Sequence, residues 1–426
     1  MNKRFRFLFI AILALSMLLA ACAPERDEEV GSEGDSNSGE AAEKPDELVI
    51  WVNDQEEQIE ALENITQKFE EQEGIKVKLE TKSMLDQMQE LSLAGPEGKG
   101  PDLFFQPHDR IGNIVAQGLA EPMELTDEQL NEYVDTAVEA VTYTYDGNTN
   151  IYGVPAVIET YGIFYNKALQ EEAPETIEDL LTVLEENSNP QEDQYGFLMR
   201  PNDLYFNFPF FKNYGAYIFG GDTGNYDIED LGLANEGAIE GAELFQSFFG
   251  QGKIPTSTTG DVIDGLFTEG KVGSVISGPW SIPGYKEALG EDLGFAPFPM
   301  INGQPTETFV GVKSWMVSYY SENKEWAKEL AVFMTNEENQ SEYFEIAGEL
   351  PPNAQALSNI DDPIYAAFAE QIQHGFPMPS APEMAQVWEP MNNALQFLAE
   401  GEDPKTVLEE ALEQVQTNID ASGGSN

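Results

Sequence analysis

Residues able to do covalent or metal chemistry are scarce in this chain. It has two histidines, His108 and His374, and a single cysteine, Cys22. That inventory excludes structural zinc, a Cys–His nucleophile and a disulfide framework. The glycine-rich stretch Gly95-Pro96-Glu97-Gly98-Lys99-Gly100 lacks the spacing and the Ser or Thr of a phosphate-binding loop, and no Gly-x-Ser-x-Gly elbow occurs. Carboxylates are the opposite case, with 77 Asp and Glu in 426 residues. At that density pairs arise by chance and read as solvated faces, so counting neither singles out nor excludes a glycosidase couple. Binding without chemistry is the better default, and the residues to place are the polar ones of 53–57 and His108-Asp109-Arg110. The aromatics near turns, Tyr205-Phe206, Gly278-Pro279-Trp280 and Val387-Trp388, join them.

Charge narrows the partner. Against the 77 acids stand 21 bases, a net charge of −56, and the five arginines are Arg4, Arg6, Arg26, Arg110 and Arg200. Nucleic acid is excluded, because phosphates need clustered cations. The ligand is expected to be neutral or cationic. The chain is nevertheless 41% hydrophobic and 11% aromatic, enough for real cores, and its length suits two domains.

The elements that must carry these residues begin after an address. Lys3, Arg4 and Arg6 precede an apolar run from Phe7 to Ala21 that is short for a membrane span, the layout of a secretory signal. The run ends in Leu19-Ala20-Ala21-Cys22, similar to a bacterial lipoprotein box, which makes 1–21 a signal peptide and Cys22 the lipidated N-terminus. Removing three bases and no acid takes the net charge from −56 to −59. Residues 22–46 carry Ala, Pro, Glu, Asp, Gly and Ser with one Val30 and no aromatic, an acidic flexible tether. Leu48-Val49-Ile50-Trp51-Val52 then reads as a strand buried on both faces, with Trp51 in the core. Ile59, Leu62, Ile65 and Phe69 give a helix stopped by Gly74, and Ile75, Val77 and Leu79 alternate. That is a βαβ unit. With a third strand at Leu103-Phe104-Phe105 it predicts an open parallel α/β sheet whose ligands sit beyond the strand carboxyl ends. Residues 406–419 form an amphipathic closing helix and 421–426 a disordered tail.

A set of ordered strings carries a resemblance. Leu48 to Asn53, Gly74-Ile75-Lys76-Val77, Gly100-Pro101-Asp102-Leu103-Phe104-Phe105 with His108-Asp109-Arg110, Tyr165-Asn166-Lys167 and Asn225-Tyr226-Asp227-Ile228 open it. Gly278-Pro279-Trp280, Phe309-Val310-Gly311-Val312, Met378-Pro379 and Trp388 complete it. Together, over 47–420, they resemble the maltose/maltodextrin-binding proteins of bacterial ABC importers. The resemblance implies a periplasmic-binding-protein fold, two α/β lobes joined by a hinge with the ligand cleft between them. The N-lobe would take 47–157 plus 312–360 and the C-lobe 158–311 plus 361–420, crossing near Ile158, residues 308–312 and residues 361–363. It further implies a monomer without enzymatic activity, metal or cofactor. That monomer is lipid-anchored at the outer face of the cell membrane and hands maltose or maltodextrin to a permease with its ATPase.

Sugar hydroxyls want carboxylates, amides and Arg, and sugar C–H faces want aromatic rings. On that chemistry the resemblance carries ligand contacts onto Asp54, Glu56, Asp109, Arg110, Glu159, Asp203, Tyr205, Phe206, Trp280, Met378 and Trp388. Four positions depart from the family pattern. Asn53-Asp54-Gln55-Glu56 lacks the lysine that follows the first strand in many members. Gln106 replaces a Trp, Asp203 a Glu and Asn392 an Arg. Those changes leave oligosaccharide length, and linear against cyclic glucans, open. A different sugar, a secreted glycan-degrading enzyme and an adhesion lipoprotein are the competing readings.

Overall fold

The apolar run after Asp46 forms strand β1 (Glu47–Val52) in the computed structural model, which describes residues 43–423. The signal peptide, Cys22 and most of the tether lie outside the described residues. Helix Glu56–Glu73 follows β1 and ends where Gly74 adopts φ 67°, a left-handed turn that costs glycine no Cβ clash. It returns the chain to β2 (Lys76–Thr81), parallel to β1, and β3 (Leu103–Pro107) pairs parallel on β1's other edge. Leu48, Ile50, Leu103 and Phe105 pack into one core while Trp51 and Phe104 pack into another. Both faces of the sheet are thus covered, which is why these strands read as unbroken apolar runs. Each fully buried Leu or Phe of this kind contributes about 1.5–3 kcal/mol.

A hairpin of β4 (Thr142–Tyr145) and β5 (Asn148–Ile151) leads to β6 (Val154–Glu159), β7 (Gly162–Asn166) and β8 (Tyr195–Leu198). A second hairpin, β9 (Phe219–Asp222) with β10 (Asn225–Leu231), precedes β11 (Val272–Ser277) and β12 (Leu293–Ala296). The last strands are β13 (Phe309–Val317) and the short β14 (Phe376–Pro377). The two hairpins form two-stranded sheets of their own, and two larger sheets hold the other strands. One is six-stranded, ordered β14-β13-β3-β1-β2 with β6 also on β13, and the other is β12-β7-β11-β8. The parallel sheet expected from the βαβ unit is in fact mixed, because β13 runs antiparallel to both β3 and β6. A strand reached by a long excursion through the other sheet is free of the parallel crossover constraint.

Strands β6 and β7 belong to different sheets yet only Thr160 and Tyr161 separate them. The chain therefore changes sheets there, and it changes back before β13. Thr160 ties the two passages: its buried hydroxyl donates to the Phe309 carbonyl at 2.9 Å and shares a 2.8 Å bond with Thr308 Oγ1. Helix Pro363–Ile372 then packs on the second sheet, Phe368 stacking on Phe295 with ring centroids 3.7 Å apart.

Both ends of the folded body extend past the expected limits. Lys44 pairs with Glu73 at 3.5 Å and Lys76 N–H donates to the Asp46 carbonyl, so the last tether residues are docked. The closing helix runs Pro404–Ser422 and is capped by Gly423 at φ 86°, because Ile419 is buried and holds the last turn. Residues 421–423, expected in the tail, thus belong to this helix and its cap, and 424–426 lie outside the described residues.

Candidate functional site

A 350 Å³ cavity lies where the two sheets exchange chain. The segment after β1 supplies Asn53, Gln55, Glu57 and Gln58, the end of β6 supplies Glu159, and β13 supplies Lys313. Trp280 and the stretch 347–350 complete most of its wall. Asn53 is held twice: its Oδ1 accepts from Met84 N–H at 3.0 Å and its Nδ2 donates to Gln58 Oε1 at 3.0 Å. Gln58 Nε2 in turn donates to Glu349 Oε2 at 3.0 Å, and Tyr343 Oη donates to the same oxygen at 2.8 Å. The other Glu349 oxygen meets Lys313 Nζ at 2.7 Å, and Lys313 reaches Glu159 Oε2 at 3.3 Å. Burial works against the Lys313 charge, but the Glu159 and Glu349 carboxylates outweigh it and hold the ammonium well above its ordinary pKa. Glu159 fits because Gly311 faces it across the β6–β13 ladder. A Cβ on Gly311 would stand 2.9 Å from Glu159 Cγ.

Trp280 follows β11 in the turn Pro279–Ser281 and is 49% exposed. Its ring folds back over Gly278, where a Cβ would come within 2.2 Å of a ring carbon. Behind it runs an aromatic file. Phe206 meets Trp280 edge-on at 6.2 Å, Arg200 lies over Phe206 at 4.2 Å, and Tyr161 packs against both Tyr205 and Phe206.

Of the eleven expected ligand contacts, the cavity wall includes Glu159 and Trp280. Asp54 and Glu56 are exposed beside wall residues Asn53, Gln55 and Glu57. Asp109 and Arg110 are half-buried in the turn His108–Arg110, with Arg110 Nη1 donating to the Leu85 carbonyl at 3.0 Å. Asp203 caps helix Leu204–Lys212 by accepting from Tyr205 N–H at 3.1 Å, and burial pushes its carboxyl upward despite nearby Arg200. Tyr205 and Phe206 join the site through the aromatic file. Met378 and Trp388 are half-buried against the core away from the wall. Asn392, at the position of the missing Arg, accepts from Leu204 N–H at 2.8 Å.

His108 is 1% exposed and structural. Its Nδ1 accepts from Val312 N–H at 3.0 Å, which leaves Nε2–H to donate to the Met378 carbonyl at 3.0 Å; burial lowers its pKa and keeps the ring neutral. It pins β3 to β13 and to the segment after β14. Sequence reading missed Lys313, Glu349 and Gln58. A signal existed for the first, since Phe309–Val317 reads FVGVKSWMV with one lysine among apolar and small residues.

Two sheet-centred α/β units exchanging chain across a cavity lined by polar and aromatic side chains have the architecture of a ligand-capture protein. The family model for bacterial extracellular solute-binding proteins matches residues 64–375, and this chain belongs to that family. Among curated relatives, a galactooligosaccharide-binding protein of Bacillus subtilis is 34% identical over 97% of each chain. A maltodextrin-binding protein of the same organism is 32% identical over 96% of this chain and 97% of its own. Among solved structures, an extracellular solute-binding protein from Staphylococcus aureus in complex with maltose superposes with a TM-score of 0.84 at 37% identity. It covers 89% of this chain and 99% of that one.

Proposed function

We propose that this protein captures maltodextrins outside the cell, delivers them to an ABC import permease and carries out no reaction on them. One observation carries the reading. A half-exposed indole, Trp280, shares a cavity with the carboxylate of Glu159 and with the amides of Asn53 and Gln58. A platform for a C–H face beside acceptors and donors for ring hydroxyls is the pairing a sugar requires and a metal or nucleic acid does not. Closure of the lobes, 47–157 plus 312–360 over 158–311 plus 361–420, would bring Asp54, Glu56, Asp109, Arg110, Asp203, Tyr205, Phe206, Met378 and Trp388 around the ligand.

A thermal-shift panel of maltose, maltotriose, longer maltodextrins, cyclodextrins, trehalose and a galactooligosaccharide tests it. A bound sugar at 100 times its dissociation constant should stabilise the protein by about 2.7 kcal/mol. Shifts with the α-glucans support the reading. A shift with the galactooligosaccharide alone favours the second reading, which the 34% identical relative motivates. No shift with any sugar refutes both.

A diacylglycerol on Cys22 would hold the monomer at the outer membrane face, one chain being too weak by itself for stable anchoring. Cys22→Ser should move the protein from membrane fraction to medium with sugar affinity unchanged, and equal retention of the variant would rule the anchor out.

A further inference from the structure

Lys313 brings a cation to the cavity that Asn53 also lines, although the segment after β1 has no lysine. It arrives from the middle of β13, and β13 pairs with β6 so that Gly311 opposes Glu159 and Lys313 opposes Val157. An ammonium has three N–H donors. Among the described residues two of them serve Glu349 Oε1 at 2.7 Å and Glu159 Oε2 at 3.3 Å, which leaves one donor on a group that forms part of the cavity wall. Glu349 itself is held from behind by Gln58 and Tyr343. A buried ion group of this kind is weak support for stability, since well-packed apolar residues commonly do as well. Its geometry is instead that of a clamped donor, and the two flanking carboxylates keep it charged.

We propose that Lys313 is a ligand-contacting donor of this cleft, its ammonium clamped between Glu159 and Glu349 so that its third N–H is presented to a ligand hydroxyl. The inference rests on the carbohydrate reading given above. Glu349 is then a positioning residue that acts through Lys313, and the cation that the first strand's segment lacks is supplied from the second crossing strand.

Calorimetric titration of the full chain with maltotriose and a set of monodeoxymaltotrioses tests the assignment. Lys313→Met should weaken maltotriose binding by about tenfold or more, the scale of one charged hydrogen bond. A fall in affinity alone could come from the two carboxylates left facing each other, so the deciding readout is the deoxy series. In the wild type one analogue, lacking the hydroxyl that Lys313 contacts, binds more weakly than maltotriose. In Lys313→Met that analogue and maltotriose should bind alike. Glu349→Gln, which keeps the ammonium but removes one side of its clamp, should narrow the discrimination without abolishing it. Equal losses across the whole series in wild type and Lys313→Met overturn the contact. If Lys313→Met fails to fold, undiminished discrimination in Glu349→Gln overturns the clamp on its own. A wild type that binds no oligosaccharide refutes the carbohydrate reading and this proposal together, whereas a sugar-binding wild type with no Lys313-dependent discrimination refutes the proposal alone.

Discussion

Trp280→Ala should weaken maltotriose binding by roughly 30-fold or more while the unliganded protein melts close to wild type. Truncating an aromatic anchor typically costs about 2 kcal/mol or more, and each 1.4 kcal/mol is tenfold in dissociation constant. The stability half of the expectation follows from exposure. Nearly half of the Trp280 surface is open, and its ring meets the edge of Phe206 and folds over Gly278 rather than filling a core. Trp388 differs, because it opens helix Trp388–Ala399 half-buried against the core. Trp388→Ala should therefore lower the melting temperature as well as affinity. Titration calorimetry and fluorescence separate the two: indole emission should respond to sugar in the wild type and lose most of that response in Trp280→Ala. Binding within threefold of wild type in a folded Trp280→Ala would sink the stacking role and the main reason for a sugar ligand.

Phe309→Ala carries the largest expected stability effect. Phe309 is fully buried at the start of β13, stacked on Phe208 at 5.0 Å with planes 6° apart and tilted against Phe376 at 5.0 Å. Its backbone carbonyl is the acceptor for Thr160, and its ring lies parallel to Tyr205 at 6.1 Å. Removing a buried phenyl costs about 3–5 kcal/mol, through lost transfer energy and the cavity left behind. With an unfolding entropy of about 2.1 cal/mol/K per residue over about 380 residues, each kcal/mol is worth about 1.2 °C, so the melting temperature should fall by roughly 4–6 °C. Affinity should fall too, since the side chain supports the aromatic file that ends at Trp280. A scanning-calorimetry trace superimposable on wild type would mean that the crossing does not depend on this packing.

Both effects trace to residues with different legibility in the sequence. Trp280 could be singled out by its Gly-Pro-Trp setting and by the family likeness, and the structure adds why Gly278 precedes it. Phe309 enters the sequence reading only as part of the Phe309-Val310-Gly311-Val312 string at an expected crossing. Its weight comes from Phe208 and Phe376, distant in sequence, and nothing in local periodicity names such partners. Asp203 shows the converse. The likeness implies a ligand contact there, and the structure adds that one of its carboxylate oxygens accepts from Tyr205 N–H as a helix cap, a role that the single residue type could equally have announced.

What the sequence alone determined is what depends on near neighbours. Strands β1 and β3 read as doubly buried because their apolar runs leave no solvent face, and Glu56–Glu73 reads as a helix with a stop because apolar residues recur at three and four before Gly74. The composition likewise offers few arginines for a phosphate backbone and few Cys and His for a zinc site or a Cys–His couple, a reading that needs no geometry. Only the tertiary structure decided how β13 joins the first sheet antiparallel, and hence that Glu159, Lys313 and Glu349 meet. A charge on one strand carries no mark of its partner's position in the chain. The partner is chosen by strand order and register, and those follow from how two covered sheets close over their shared aromatic core rather than from any local pattern.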